Sequence, residues 1–209
     1  MTRIVLVRHG QTAWNVTERF RGREDLPLDD TGRSQAARTA DRIARQWKPS
    51  AVFSSPLTRA VITAEAIGQR CHLPVQIRRG LIDIDYGRWQ GLTPEEAASR
   101  YPRRSRDWYR GGRSPRPPGG ESLRQVKRRC MRMIVEIISQ YPDQTVVLVG
   151  HTVVNRIILL GVLSLGLKHF WHVRQEPCAM NLIETDGREF VLCFMNDTCH
   201  LQEHIRWPE

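Results

Sequence analysis

The chain has 209 residues, 40% hydrophobic and 26% charged, enough for one substantial buried core and too few for two. Its five cysteines form no C-x-x-C pair, which argues against a disulfide framework and a zinc knuckle, and no stretch approaches the roughly 18 apolar residues of a membrane span. The net charge of +10 is carried mainly by arginine, without interleaved aromatic repeats or a nucleic-acid-binding motif, so it reads as a solvated basic surface rather than a nucleic-acid site.

Residues Arg3 to Val7 are β-prone and mostly apolar, and the run stops at Arg8-His9-Gly10. This pattern reads as a buried strand with charged residues at its carboxyl end. In an open α/β sheet that end faces the ligand crevice, where Gly10 is expected to let backbone N–H groups approach an anion. No positively charged leader precedes the strand, so a cytoplasmic location is expected. Trp14 to Arg23 reads as a helix or turn, Asp25 to Leu28 as an extended breaker, and about Arg33 to Gln46 as a helix whose alanines suit close packing. Ala51 to Phe53 is a short strand. Ser54-Ser55-Pro56 ends it and opens a helix from about Leu57 to Gln69. Arg59 then sits near a helix N-terminus, where unpaired N–H groups favour an anion.

Val75 to Ile77 can pair as a strand, whereas Leu81 to Gly91 is too rich in glycine and alternating charge for a long helix. Thr93-Pro94-Glu95-Glu96 is a helix start with a capping box. Tyr101 to Pro118 reads as short helical turns plus a mobile loop, giving a lid-like insertion at about residues 93–120. Ser122 to Gln140 is a long amphipathic helix. Thr145 to Val149 is another β-branched strand, ending in Gly150-His151-Thr152 before a helix from Val153 to Leu163. Ala179 to Glu184 and Phe190 to Phe194 alternate around Asp186-Gly187, a hairpin signal.

His9 and His151 each follow a strand, so parallel neighbouring strands would bring both imidazoles to one crevice. Taken in order, Arg8-His9-Gly10, Asn15, Ser55-Pro56-Leu57-Thr58-Arg59-Ala60 and Gly150-His151-Thr152 resemble the histidine phosphatase superfamily, in the branch holding cofactor-dependent phosphoglycerate mutases and their phosphatase relatives. The resemblance runs from residue 3 to about 200. It implies a single domain over residues 1–209, of α/β class: three α/β/α layers with a mostly parallel central sheet and helices on both faces.

Phosphoryl transfer without a metal needs a nucleophile, positive charge around the phosphoryl oxygens and a proton donor for the leaving oxygen. By the resemblance, His9 is the nucleophile and forms a phosphohistidine, Arg8, Arg59 and His151 surround the oxygens, and Asn15 adds hydrogen bonds. Arg21 and Thr152 are further substrate-binding candidates. The acid falls on Asp83, where the family usually has glutamate; Asp85 is the rival, expected on the same strand face. Glu121 and Ser122 match a Gly-Glu-Ser that starts a helix beside the site, with Ser122 as a plain cap. No H-E-x-x-H or similar pattern occurs, so neither a metal nor another cofactor is expected.

The short stretch between Asp83 and Gly119 favours hydrolysis over mutase transfer. Lys168 to Trp171 and Asn196 to Leu201 resemble the metal-independent phosphoserine phosphatases of the family, and the second segment would lie near the substrate's amino acid portion. The expected partner is a small phosphorylated metabolite, phosphoserine or α-ribazole phosphate; a membrane is not expected, and a homodimer is left open. A phosphoglycerate mutase is the alternative, and a non-catalytic phosphate-binding module a second one.

Overall fold

The computed structural model describes residues 1–110 and 116–202. Its centre is a six-stranded sheet of order β3-β2-β4-β1-β5-β6, with β1 at Thr2–Arg8, β2 at Ala51–Ser54, β3 at Val75–Ile77, β4 at Thr145–Gly150, β5 at Met180–Thr185 and β6 at Phe190–Asp197. The first four strands are mutually parallel, and the β5–β6 hairpin closes one side antiparallel to β1. The hairpin turns at Gly187, whose φ of +92° suits glycine. The mostly parallel three-layer expectation therefore holds.

The apolar runs of β1 and β4 lack polar alternation because both sheet faces are covered. Val5, Val7, Val147 and Val149 pack with Ala40, Ile43, Ala60, Ala64 and Ile67 of α2 (Asp30–Gln46) and α3 (Thr58–Cys71). Ile4, Leu6, Val146 and Leu148 point the other way, into Val126, Ile134, Ile137, Val154 and Ile157 of α6 (Leu123–Gln140) and α7 (Thr152–Val162). Each such side chain, fully buried, contributes roughly 1.5–3 kcal/mol, so a one-residue slip of β1 would exchange two differently shaped cores. That locks the register with β4, Arg3 opposite Thr145 through Arg8 opposite Gly150.

Helix α2 begins at Asp30 rather than Arg33, because the Asp29 carboxylate accepts the Gly32 N–H at 2.7 Å and caps the first turn. The capping box at Thr93 forms as read, and Ser122, expected as a plain cap, forms one as well with Gln125. Trp14 lies in a one-turn helix, α1 (Ala13–Val16). The helix expected from Thr93 is α4 (Pro94–Arg100), and part of the segment expected as short turns is a regular helix, α5 (Pro102–Arg110), held down by Trp108, which is 1% exposed and lies edge-on to Trp89, Tyr86 and Phe170. The rest of the expected loop, residues 111–115, lies outside the described residues. All five cysteines are free thiols. No helix among the described residues is long and apolar enough to cross a membrane.

Gly10 has a different task from the expected one. Its N–H donates to Thr63 Oγ1 at 3.1 Å, and a Cβ there would lie 2.5 Å from the Gly32 carbonyl oxygen. A Cβ on Gly32 would in turn meet the Gln11 oxygen at 2.1 Å. The two glycines let the loop after β1 lie directly on the first turn of α2, a contact between backbones with no flexible side chain to yield. Gly10→Ala or Gly32→Ala is expected to cost about 1–3 kcal/mol, seen as a lower urea midpoint at unchanged slope.

Candidate active site

Three parallel strands end at one place. The Arg8–Gly150 register sets His9 beside His151, with the His9 N–H donating to the Gly150 oxygen at 3.0 Å and the ring centroids 5.1 Å apart. On the other side of β4, the Ser55 N–H donates to the Val149 oxygen at 3.1 Å. The polar ends of β1, β4 and β2 thus lie side by side.

The His9 ring is 1% exposed, and its Nδ1 lies 2.6 Å from the Gly10 carbonyl oxygen. A carbonyl only accepts, so the proton sits on Nδ1 and the Nε2 lone pair is left for chemistry. Burial, then the positive charges of Arg59, His151 and Arg8, push its pKa well below the ordinary imidazole range, so the ring is neutral at pH 7. His151, fully buried, is pushed the same way by burial and then by Arg59, Arg21 and Arg8. Its Nε2 lies 2.7 Å from Ser55 Oγ. That hydroxyl accepts the Leu57 N–H at 3.3 Å and is free to donate to the ring, which assigns the proton to Nδ1, 3.9 Å from Asp83 Oδ2.

Arg59 is 0% exposed, which decides against a solvated helix residue. Its terminal nitrogens donate to the Glu24 and Gly22 oxygens, both at 2.7 Å, and face Asp83 Oδ2 at 3.4 Å. Arg8 donates to the Gln175 oxygen at 2.5 Å. The Gln175 side chain is itself tied to Asn181 by amide hydrogen bonds at 2.8 and 2.9 Å. Burial, then Arg21, draws Arg8 down to about 9, which leaves it charged at neutral pH.

Asp83 is the one carboxylate facing both Arg59 and His151 among the described residues. Its Oδ1 accepts the Ile84 N–H at 2.9 Å. Burial raises its pKa above the ordinary carboxylate value, opposed by Arg59. Asp85 does not share its face. Leu81 to Tyr86 is not a strand, and Asp85 turns outward to accept the Gly87 N–H at 2.8 Å and meet Arg23 at 3.5 Å. Glu121 pairs with Arg129 at 3.0 Å, and Arg129 donates to the Asp83 carbonyl at 3.3 Å, so this helix start steadies the backbone that carries Asp83.

The supporting candidates divide. Arg21 donates to the Trp14 oxygen at 3.0 Å and, with Asn15 and Thr152, lines a hollow of about 240 Å³ in front of Asp83. The Asn15 carbonyl is committed to Thr12, whose N–H and hydroxyl it accepts at 2.9 Å each, so only its amide N–H₂ can face a ligand. Asn196 to Leu201 does not line this hollow. His200 instead bonds Thr39 at 2.9 Å and Asp197 pairs with Arg42, both on α2, because β6 runs past the site before the chain turns back. That segment is removed from the expected substrate contacts.

Two contributors were not singled out from the sequence. Gln175 sits in an irregular segment, and no local pattern marks it. Arg156, also lining the hollow, was readable: it follows Thr152 by four residues in α7 and so shares its face.

Among the described residues, eight buried side-chain nitrogen or oxygen atoms lack a protein partner; two are Nε of Arg21 and Arg156, which line the hollow, and three, Nε of Arg8 and Arg59 and Nδ1 of the neutral His151, belong to the cluster around His9 and Asp83. An unpaired buried donor costs about 1–3 kcal/mol, so their convergence on one space defines an anion site. A fold with parallel strands ending in two histidines and a ring of guanidinium groups belongs to the phosphoryl-transfer enzymes of the α/β class.

Comparison with known proteins narrows the class. Residues 4–198 match the model of the histidine phosphatase superfamily (branch 1), and the chain belongs to that superfamily; it is a phosphatase. It is 34% identical to phosphoserine phosphatase 1 of Hydrogenobacter thermophilus over 97% of this chain and 96% of that one. The structure of a mycobacterial glucosyl-3-phosphoglycerate phosphatase in complex with VO3 superposes with a TM-score of 0.86, at 29% identity over 94% of this chain and 99% of that one. Phosphoserine phosphatase from Entamoeba histolytica in complex with 3-phosphoglyceric acid gives 0.87, at 26% identity over 97% and 100%.

Proposed function

We propose that the protein hydrolyses small phosphomonoesters without a metal, through a phosphohistidine on His9. The observation that carries this reading is the neutral, oriented His9 ring set beside Arg8, Arg59 and Arg21, each with a buried Nε–H that has no protein partner. In the first step Nε2 of His9 attacks phosphorus and the ester P–O bond breaks. Arg8, Arg59, His151 and Arg21 hold the equatorial oxygens where charge gathers. Asp83, whose pKa burial raises and the incoming phosphate charge raises further, delivers its proton to the leaving oxygen. In the second step Asp83, now a carboxylate, takes a proton from water as its oxygen attacks phosphorus. The P–N bond breaks and inorganic phosphate leaves.

The small hollow suits a metabolite rather than a phosphoprotein segment. Phosphoserine fits it and is the substrate that the relatives' names favour; without the Asn196 to Leu201 contacts, that choice rests on the hollow. The guanidinium groups of Arg8, Arg59 and Arg21 supply the charge a metal would otherwise bring, and the neutral His151 ring adds its Nδ1–H. p-Nitrophenyl phosphate should be hydrolysed in excess EDTA at the rate seen without chelator, with phosphate released stoichiometrically. Activity that vanishes with EDTA and returns with a divalent ion would overturn the metal-free reading. Transfer to a second hydroxy acid in place of water would replace hydrolase by mutase.

A further inference from the structure

Arg156 is a charged group in the hollow that the phosphoryl chemistry does not use. It makes no hydrogen bond to the protein and no ion pair among the described residues, and its buried Nε has no partner. The carboxylate of Glu176, which contributes to the field at Arg156, is engaged by Arg174. The guanidinium carbon lies 5.2 Å from the Phe170 ring centroid and 5.3 Å from that of Trp171. The guanidinium thus rests against two aromatic rings set nearly perpendicular to each other, with its Nε–H unpaired among the described residues. On α7, Arg156 lies one turn beyond Thr152 and lines the hollow with it.

We propose that Arg156 is a specificity residue that binds a second anionic group on the substrate, so that the preferred substrates are phosphomonoesters carrying a carboxylate or a second phosphate a few bonds from the reacting one. This rests on the phosphomonoesterase reading above. A guanidinium resting on aromatic rings, partly buried and without an ion-pair partner among the described residues, is stabilised by an anion and wasted on a neutral substrate. Arg21 is the weaker candidate for this role: its guanidinium is already held by the Trp14 oxygen at 3.0 Å, whereas Arg156 has no such partner among the described residues. The small volume limits the span between the two anions to a short carbon chain.

Three substrates on one three-carbon skeleton separate the cases: 3-phosphoglycerate with a carboxylate, glycerol 1,3-bisphosphate with a second phosphate, and glycerol 3-phosphate with neither. The wild type should show kcat/KM about 10- to 100-fold higher for at least one of the first two than for the third, and which of them leads identifies the anion. Arg156→Gln should bring the three within about threefold of each other, and Arg156→Lys should restore part of the preference. Equal loss on all three substrates in both variants would mean that Arg156 only braces Phe170 and Trp171, and would overturn the proposal. So would a wild type with no preference that still turns over glycerol 3-phosphate. If the wild type hydrolyses none of the three and no p-nitrophenyl phosphate either, the phosphomonoesterase reading falls first and takes this one with it.

Discussion

Replacing His9 by alanine is expected to lower kcat by at least about 10⁴-fold, because a nucleophile that forms a covalent intermediate has no substitute in the site. Among the described residues the only other imidazole within reach, His151, directs its Nε2 to Ser55 and its proton toward Asp83, so it presents no lone pair to phosphorus. The fold should survive. His9 is buried but uncharged, and its one side-chain hydrogen bond is to the neighbouring Gly10 carbonyl. Rapid acid-free quenching of the wild type with radiolabelled substrate should trap a label that is stable in alkali and lost in acid. The alanine protein should trap none. A variant that keeps more than about a hundredth of wild-type turnover would assign the nucleophile elsewhere and sink the mechanism.

Changing Asp83 to asparagine is expected to separate substrates by leaving group. An alkyl phosphomonoester expels an alkoxide that must be protonated, and losing the donor should slow it about 10²- to 10³-fold. p-Nitrophenolate leaves unaided, so p-nitrophenyl phosphate should slow by only a few-fold. Equal losses on both would mean that Asp83 holds Arg59 and His151 in place and donates no proton. The pH profile gives a second reading. Asp83 must be protonated to act, and burial raises its pKa. kcat/KM for the alkyl substrate should therefore fall as pH rises through that raised pKa, a limb missing in the asparagine variant. His9 must be neutral to attack, and its pKa is depressed well below the usual imidazole range. No loss from His9 protonation is then expected until the pH falls below that range, so the profile should stay open on the acid side further than an ordinary histidine would allow.

Where the sequence misled, the reason was the same each time: a local pattern is compatible with several three-dimensional uses. Gly10 looks like an anion-approach residue because it follows Arg8-His9, and only the nearness of Gly32 from a separate helix reveals that it is spent on backbone packing. Asp83 and Asp85 look equivalent on strand spacing. They part because the segment is irregular and each carboxylate is claimed by a different arginine, Arg59 inside and Arg23 outside. Asn196 to Leu201 looks like a substrate segment by resemblance, yet Thr39 and Arg42 draw it onto α2.

The sequence by itself determined the alternation of strands and helices, the capping box at Thr93, and the placing of His9 and His151 at the ends of two mostly apolar strands. Apolar periodicity and capping chemistry are local, so they can be read from neighbours along the chain. Only the tertiary structure decided that β4 lies beside β1 with Gly150 opposite Arg8, that Arg59 is buried against Asp83, and that Arg156 faces the same hollow unpaired. Those are contacts between residues far apart in the chain. They follow from the packing of two sheet faces against four helices, and no window of sequence contains both partners.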